Sequence, residues 1–352
     1  MMLAMKITTT MAMQNVQQQH PTAPLPAPFL STNDGSRRRV IAFTTPQNYA
    51  ARLSHLLRLK GWFPLWSPSV IVETTPQTNS SLHLHLLSSP IPNPNPTKPP
   101  LEHFSAIAFT SRTGISSFSE ALADLHQPPL SPSGHIFTIS ALGKDSELLD
   151  SAFVHRLCQN PRRIKVLVPP ISTPTGLVES LGLGSGRRVL CPVPAVVGLE
   201  EPPVVPNFLR ELVSKGWVPV RVNAYETRWA GPKCAEAVAR RSQEGEGLDA
   251  VVFTSTGEVE GLLKSLRMEY GLDWGMVKKR FPQLVVAAHG PVTAAGAERL
   301  GVGVDVVSSR FDSFVGVVDA LDLRWQSLEC WEFISTCPEQ GALSGWFEFL
   351  DW

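Results

Sequence analysis

Cysteine is scarce and scattered in this chain. The 5 cysteines among 352 residues, Cys158, Cys191, Cys234, Cys330 and Cys337, form no C-x-x-C pair. That excludes a disulfide framework or a zinc site of ordinary spacing and makes a reducing compartment the default. Net charge is missing as well. The 31 Lys and Arg balance 31 Asp and Glu, so nothing argues for a nucleic-acid partner. A bound anion must then be held by local dipoles or a few chosen side chains. No apolar run approaches the roughly 20 residues of a membrane span. There is no Walker loop, no defensible Ser-His-Asp order and no metal-spaced cluster. His83 and His85 lie two apart, but without nearby carboxylates or thiols they are not read as ligands. Gly182-Leu183-Gly184-Ser185-Gly186-Arg187 has the glycines of a dinucleotide loop, yet it precedes a strand instead of following one and fails on context.

Acidic residues are also absent from the first 33 positions, and Arg37-Arg38-Arg39 follows just before the first strand. An acid-poor leader reads either as a transit segment or as a plain disordered tail, and both stay open for residues 1–37.

The chain is long enough for about two domains, and its 43% hydrophobic content supplies their cores. Its 31 prolines are roughly twice the usual share. They concentrate in Pro21–Pro28, Pro90–Pro100 and Pro192–Pro206, read as a tail, a linker and a long loop. Elsewhere short apolar strands alternate with helical patterns, which predicts parallel sheets with helices on both faces. Residues 324–352 show no clear period and receive no role.

Two passages are nearly the same. Lys60-Gly61-Trp62-Phe63-Pro64 and Lys215-Gly216-Trp217-Val218-Pro219 each close a helix and open an extended segment. Other features pair up too. Phe109-Thr110-Ser111 matches Phe253-Thr254-Ser255, and Gly143 with Ser146 matches Gly290 with Thr293. These hydroxyl-rich turns fall at the carboxyl ends of strands, where open α/β sheets bind ligands. Helix N-termini there favour carboxylates or phosphates, although Ser and Thr also cap helices everywhere. Four such turns in two halves favour a shared anionic ligand in a cleft. Tyr225 lies in an extended segment between the halves. It is either a boundary packing residue or a proton donor, since a phenol is neutral at pH 7.

In order and spacing, the two Phe-Thr-Ser turns, Val222-Asn223-Ala224-Tyr225-Glu226-Thr227 and Gly290-Pro291-Val292-Thr293-Ala294-Ala295 resemble the uroporphyrinogen-III synthase family over about Val40 to Leu323. The resemblance implies an α/β fold of two doubly wound parallel-sheet lobes joined by a two-stranded β-ladder. Lobe one would be residues 38–65 plus 231–323, and lobe two residues 101–217. Residues 66–75 and 218–230 would form the ladder, with 76–100 a Pro-rich linker. Phe63–Glu73 and Val218–Trp229 would be the crossing strands. The implied reaction closes the linear tetrapyrrole hydroxymethylbilane to uroporphyrinogen III, with loss of water and inversion of the terminal pyrrole. It needs no cofactor and no metal. The implied protein is a monomeric lyase of haem and chlorophyll biosynthesis, in a chloroplast if the leader is a transit segment and otherwise in the cytoplasm.

The resemblance also implies roles for residues. Tyr225 would assist departure of the hydroxyl. Thr44, Thr110, Ser111, Arg112, Thr113, Gly143, Ser146, Thr254, Ser255, Thr256, Gly257, Gly290, Pro291 and Thr293 would bind the carboxylate-rich substrate. The chain departs from the family's pattern at the loop Val193–Pro206, at Arg112-Thr113 and at Phe311-Asp312-Ser313. A non-catalytic tetrapyrrole-binding or regulatory relative is therefore the alternative.

Overall fold

A computed structural model describes residues 38–87, 99–310 and 313–336, with side chains of the last helix described as far as residue 327. The leader, Phe311 and Asp312, and most of the final segment lie outside the described residues. The strands are β1 (Val40–Phe43), β2 (Phe63–Trp66), β3 (Val70–Glu73), β4 (Ala106–Ala108), β5 (Phe137–Ser140) and β6 (Ile164–Leu167). They continue with β7 (Arg188–Val197), β8 (Val218–Trp229), β9 (Ala250–Phe253), β10 (Val285–Ala288) and β11 (Val306–Val307). The helices are α1 (Gln47–Leu59), α2 (Pro76–Leu86), α3 (Arg112–Ala123), α4 (Ser151–Leu157), α5 (Pro174–Leu181) and α6 (Val204–Ser214). Then come α7 (Glu236–Glu244), α8 (Thr256–Tyr270), α9 (Trp274–Arg280), α10 (Pro291–Arg299) and α11 (Phe314–Thr336).

Two sheets organise these elements, and each forms a lobe. One runs β11-β10-β9-β1-β2, all parallel. Alternation splits its buried residues between two faces. Ile41 and Phe43 meet Leu53 and Leu57 of α1 and Val317 and Leu321 of α11. Val40 and Ala42 join the cluster of Leu262 and Leu266 from α8 and Ala297 from α10. The other sheet runs β3-β8-β7-β4-β5-β6. Ile107 and Ile139 face Phe118 of α3 and Phe153 of α4, while Ala106 and Ala108 face Val178 of α5 and Phe208 of α6. Burial on both faces explains why these strands read as continuous apolar runs.

The repeated Lys-Gly-Trp-x-Pro passages are the same device twice. Gly61 and Gly216 sit at φ 78° and 77°. The next N–H turns back onto the helix, from Trp62 to the Leu57 carbonyl at 3.1 Å and from Trp217 to the Leu212 carbonyl at 3.0 Å. This closure needs a left-handed residue, which glycine adopts without penalty.

Five expectations need correction. Phe63–Glu73 is not one crossing strand. β2 pairs with β1 in the first sheet, and β3 pairs antiparallel with β8 in the second. The chain crosses at Ser67–Ser69, where Ser69 Oγ donates to the Glu258 carbonyl at 2.7 Å. Nor is the ladder a free pair of strands, because β7 runs parallel to β8 from Arg188 to Val197. The loop expected from Val193 is therefore strand as far as Val197. Pro192 and Pro194 fall beyond the last β4 pair with β7 at Leu190, where β7 has β8 as its ladder partner, so the missing N–H groups break nothing. The linker expected at 76–100 begins as helix α2. Thr75 caps it in a reciprocal box with Thr78, Pro76 opens it, and Leu82 and Leu86 drop into the core. Its later part, residues 88–98, lies outside the described residues. Finally, the region assigned no element contains the rest of α11. Trp325 is 7% exposed and meets Trp62 edge-on at 4.9 Å.

Candidate active site

The carboxyl ends of both sheets face a cleft of 490 Å³ between the lobes. Tyr225, Thr110, Ser111, Thr113, Thr254, Ser255, Thr256, Gly257 and Thr293 of the expected set line it. Thr44, Arg112, Gly143, Ser146, Gly290 and Pro291 do not. A larger groove of 1070 Å³ runs beside β3 and includes Arg228, Lys233 and Arg240. It contains none of the expected residues, so the smaller cleft is where the chemistry-bearing groups converge.

On the lobe-two side, Ser111 caps α3, accepting from the Gly114 N–H at 3.1 Å. Its oxygen is also 2.9 Å from the Tyr225 hydroxyl. Gly114 leaves room for this arrangement, because a Cβ there would lie 3.2 Å from both the Pro192 carbonyl oxygen and Ser111 Oγ. Tyr225 is 6% exposed, and burial pushes its pKa up to about 12, with the Ser111 contact pulling the other way. The phenol therefore keeps its proton across the physiological range. Arg112 points away into an adjoining polar recess with Tyr49, Thr113 and Glu73, its guanidinium 3.9 Å from Asp145. Ser146 is turned inward, donating to the Gly143 carbonyl at 2.6 Å within a short 3-10 turn.

On the lobe-one side the hydroxyls of Thr44, Thr254, Ser255 and Thr293 are already committed. Glu258, fully buried in the first turn of α8, accepts from Thr44 Oγ1 at 2.8 Å and from the Thr254 N–H at 2.9 Å. It also accepts from the Thr254 hydroxyl and from Ser255 Oγ at 3.2 Å. Thr293 Oγ1 donates to the Thr254 carbonyl at 3.1 Å. Burial drives the Glu258 carboxyl upward, against the four hydrogen bonds that favour its ionised form. What this wall presents to the cleft is the first backbone turn of α8, packed on α10. A Cβ at Gly296 would overlap Thr256 Oγ1.

Glu258 escaped the sequence reading, although its signal was there. Ser255-Thr256-Gly257-Glu258 has capping-box spacing, and the carboxylate reaches one residue further back than usual, to the Thr254 N–H. Tyr49 and Glu200 also line the cleft without a sequence signal. Among its described lining residues there is no Lys, Arg or His.

A clasp holds the lobes together. Both carboxylate oxygens of Glu260 on α8 accept the Glu200 N–H, at 2.9 and 3.0 Å. Lys264, one turn on, donates to the Gly198 carbonyl at 2.8 Å and lies over the Trp229 ring. Among the described residues no group of three or more His, Cys, Asp or Glu gathers as for a metal, and no helix is long and apolar enough to cross a membrane.

A sequence profile described as uroporphyrinogen-III synthase HemD matches residues 52–314. A search of curated proteins found no match. Among solved structures, a mutant uroporphyrinogen III synthase from Thermus thermophilus is similar with a TM-score of 0.52 and 16% identity, over 82% of this chain and 99% of that one. The synthetase from Helicobacter pylori scores 0.41 at 15% identity, over 82% of this chain and 100% of that one. At 16% identity the Thermus thermophilus structure speaks for the fold alone. The profile spans well over half of the sequence, and on that ground the chain belongs to the uroporphyrinogen-III synthase HemD family.

Proposed function

We propose that this protein is a uroporphyrinogen-III synthase, cyclising hydroxymethylbilane with loss of water and inversion of the terminal pyrrole. The observation that carries the reading is Tyr225, a neutral phenol lining the inter-lobe cleft and hydrogen-bonded to Ser111 at 2.9 Å. As the C–O bond breaks, its electron pair leaves on oxygen, which takes the phenol's proton and departs as water. The phenolate regains a proton when the final ring carbon gives one up. Much of the acceleration comes from holding the chain folded, so that the terminal ring is attacked at its substituted carbon. The cleft's apolar wall, including Val70, Val72, Val196 and Val204, suits pyrrole faces. The substrate's carboxylates are held by the first turns of α3 and α8 and by Arg112 in the adjoining recess.

The 490 Å³ cleft lies in the lower half of the about 300–1,000 Å³ typical for drug-sized ligands. A four-ring chain is longer than such ligands, so the clasp opens for entry. The protein acts as a monomer, and the acid-poor leader directs it to a plastid.

The test is an assay with hydroxymethylbilane followed by separation of the product isomers. Type III product above the uncatalysed background is expected. Only the symmetric type I isomer would overturn the reading. A second reading, a tetrapyrrole-binding relative without turnover, is favoured by Glu258, which occupies the hydroxyls that would otherwise meet a ligand carboxylate. The same assay separates the two.

A further inference from the structure

The chain has 3 tyrosines, and two of them, Tyr49 and Tyr225, line the cleft from opposite lobes. The reaction proposed above uses one. Tyr49 stands in the first turn of α1, and its ring rests edge-on against Phe314 of α11, with centroids 6.3 Å apart at 88°. That contact ties the ring to lobe one. The hydroxyl extends the other way and lies 3.3 Å from Thr113 Oγ1, in the first turn of α3 in lobe two. Two residues before Thr113 is Ser111, the partner of the Tyr225 hydroxyl. Both phenols therefore meet the same helix turn, one from each lobe. The turn is closely seated, because a Cβ at Gly114 would come within 3.2 Å of both the Pro192 carbonyl oxygen and Ser111 Oγ. A displacement at Thr113 is passed to Ser111 and from there to the Tyr225 hydroxyl.

We propose that Tyr49 is a positioning residue, the latch by which closure of lobe one onto lobe two sets the α3 turn that aims Tyr225. The link to catalysis rests on the proposed role of Tyr225, while the latch itself rests on geometry. Ring packing accounts for the Phe314 contact. It does not account for a hydroxyl directed across the cleft to the opposite lobe.

The test uses Tyr49→Phe, Thr113→Val and the double variant. Tyr49→Phe keeps the ring on Phe314, so the fold is retained. The first measurement is amide exchange in the free protein over residues 111–118. Loss of one hydrogen bond shifts a local opening about fivefold, so each single variant exchanges there about fivefold faster. The double variant goes no further, because both changes remove the same contact. Unchanged exchange in Tyr49→Phe, or additive effects in the double variant, overturns the latch. The second measurement is turnover of hydroxymethylbilane. Tyr49→Phe lowers kcat about fivefold with KM little changed, a split that a purely structural role would not produce; an unchanged kcat overturns the positioning role. If the unmodified protein forms only type I product, the proposed function fails, and the exchange measurement still decides the latch.

Discussion

Replacing Glu258 tests the lobe-one wall most directly. Glu258→Ala removes the acceptor of four hydrogen bonds, from Thr44 Oγ1, the Thr254 N–H, the Thr254 hydroxyl and Ser255 Oγ. The losses are unequal. Thr44 Oγ1 has the Val252 carbonyl at 3.3 Å as a second acceptor, and the Ser255 oxygen still caps Glu258's own N–H. The Thr254 N–H and hydroxyl lose their acceptor. A buried donor left unsatisfied costs about 1–3 kcal/mol, but Thr254 is half-buried at the cleft wall, where water offsets part of that, so the two groups destabilise the lobe by about 1–3 kcal/mol. In a unit of this size that is a fall in Tm of roughly 2–6 °C. Glu258→Gln separates shape from charge. Burial raises the folded-state pKa of Glu258, so the folded protein holds this proton more tightly than the unfolded chain. The stability so gained is complete below the unfolded value of about 4.5 and is lost as pH rises through the folded pKa. The wild type therefore weakens with rising pH through this group, and the Gln variant lacks that slope. At neutral pH Gln should cost far less than Ala. Calorimetry from pH 4 to 8 measures both variants. A Tm for Glu258→Ala within about 1 °C of wild type would refute the network argument. Equal damage by Gln and Ala at neutral pH would refute the claim that burial outweighs the hydrogen bonds.

Four further variants have expected outcomes. Tyr225→Phe removes the proposed donor and should lower kcat by about 10²-fold or more, the low end for general acid catalysis; unchanged turnover in the isomer assay would leave Tyr225 a packing residue. Because burial raises Tyr225 to about 12, the wild type loses stability as pH climbs from the unfolded value of about 10 through 12, and alkaline unfolding of the Phe variant should lack this component. Glu260→Ala frees the Glu200 N–H and should speed amide exchange over residues 198–202 about fivefold, with exchange in β9 as the unchanged control. Glu102→Ala strands the buried Arg163 guanidinium, which Glu102 binds through both oxygens, and should cost about 3–5 kcal/mol in denaturant unfolding. Trp325→Ala removes the anchor of α11 on Trp62 and should cost about 3 kcal/mol by the same measurement.

The elements that read correctly from sequence were those whose determinants are local. Gly61 and Gly216 end their helices because the next turn needs a positive φ. Ser111 and Ser255 cap theirs because the hydroxyl meets an N–H three residues on. α2 escaped because two leucines, Leu82 and Leu86, carry its burial, and its remaining polar residues merge into the prolines that follow. β7 escaped because Pro192 and Pro194 normally interrupt a strand, and their tolerance depends on where β4 stops.

By itself the sequence determined that two α/β halves carry matching hydroxyl turns at strand ends and that Tyr225 lies on a segment passing between them. Periodicity, capping and glycine conformation act within a few residues, and composition records them. Only the tertiary structure decided which turns are available to a ligand. Thr44 and Thr254 are 210 positions apart in sequence, yet both bind Glu258, and with Ser255 their hydroxyls are spent on that shared carboxylate. Tyr49 and Thr113, on opposite lobes, come within 3.3 Å across the cleft. Long-range hydrogen bonds of this kind follow from strand order and lobe closure, which no local run of residues encodes.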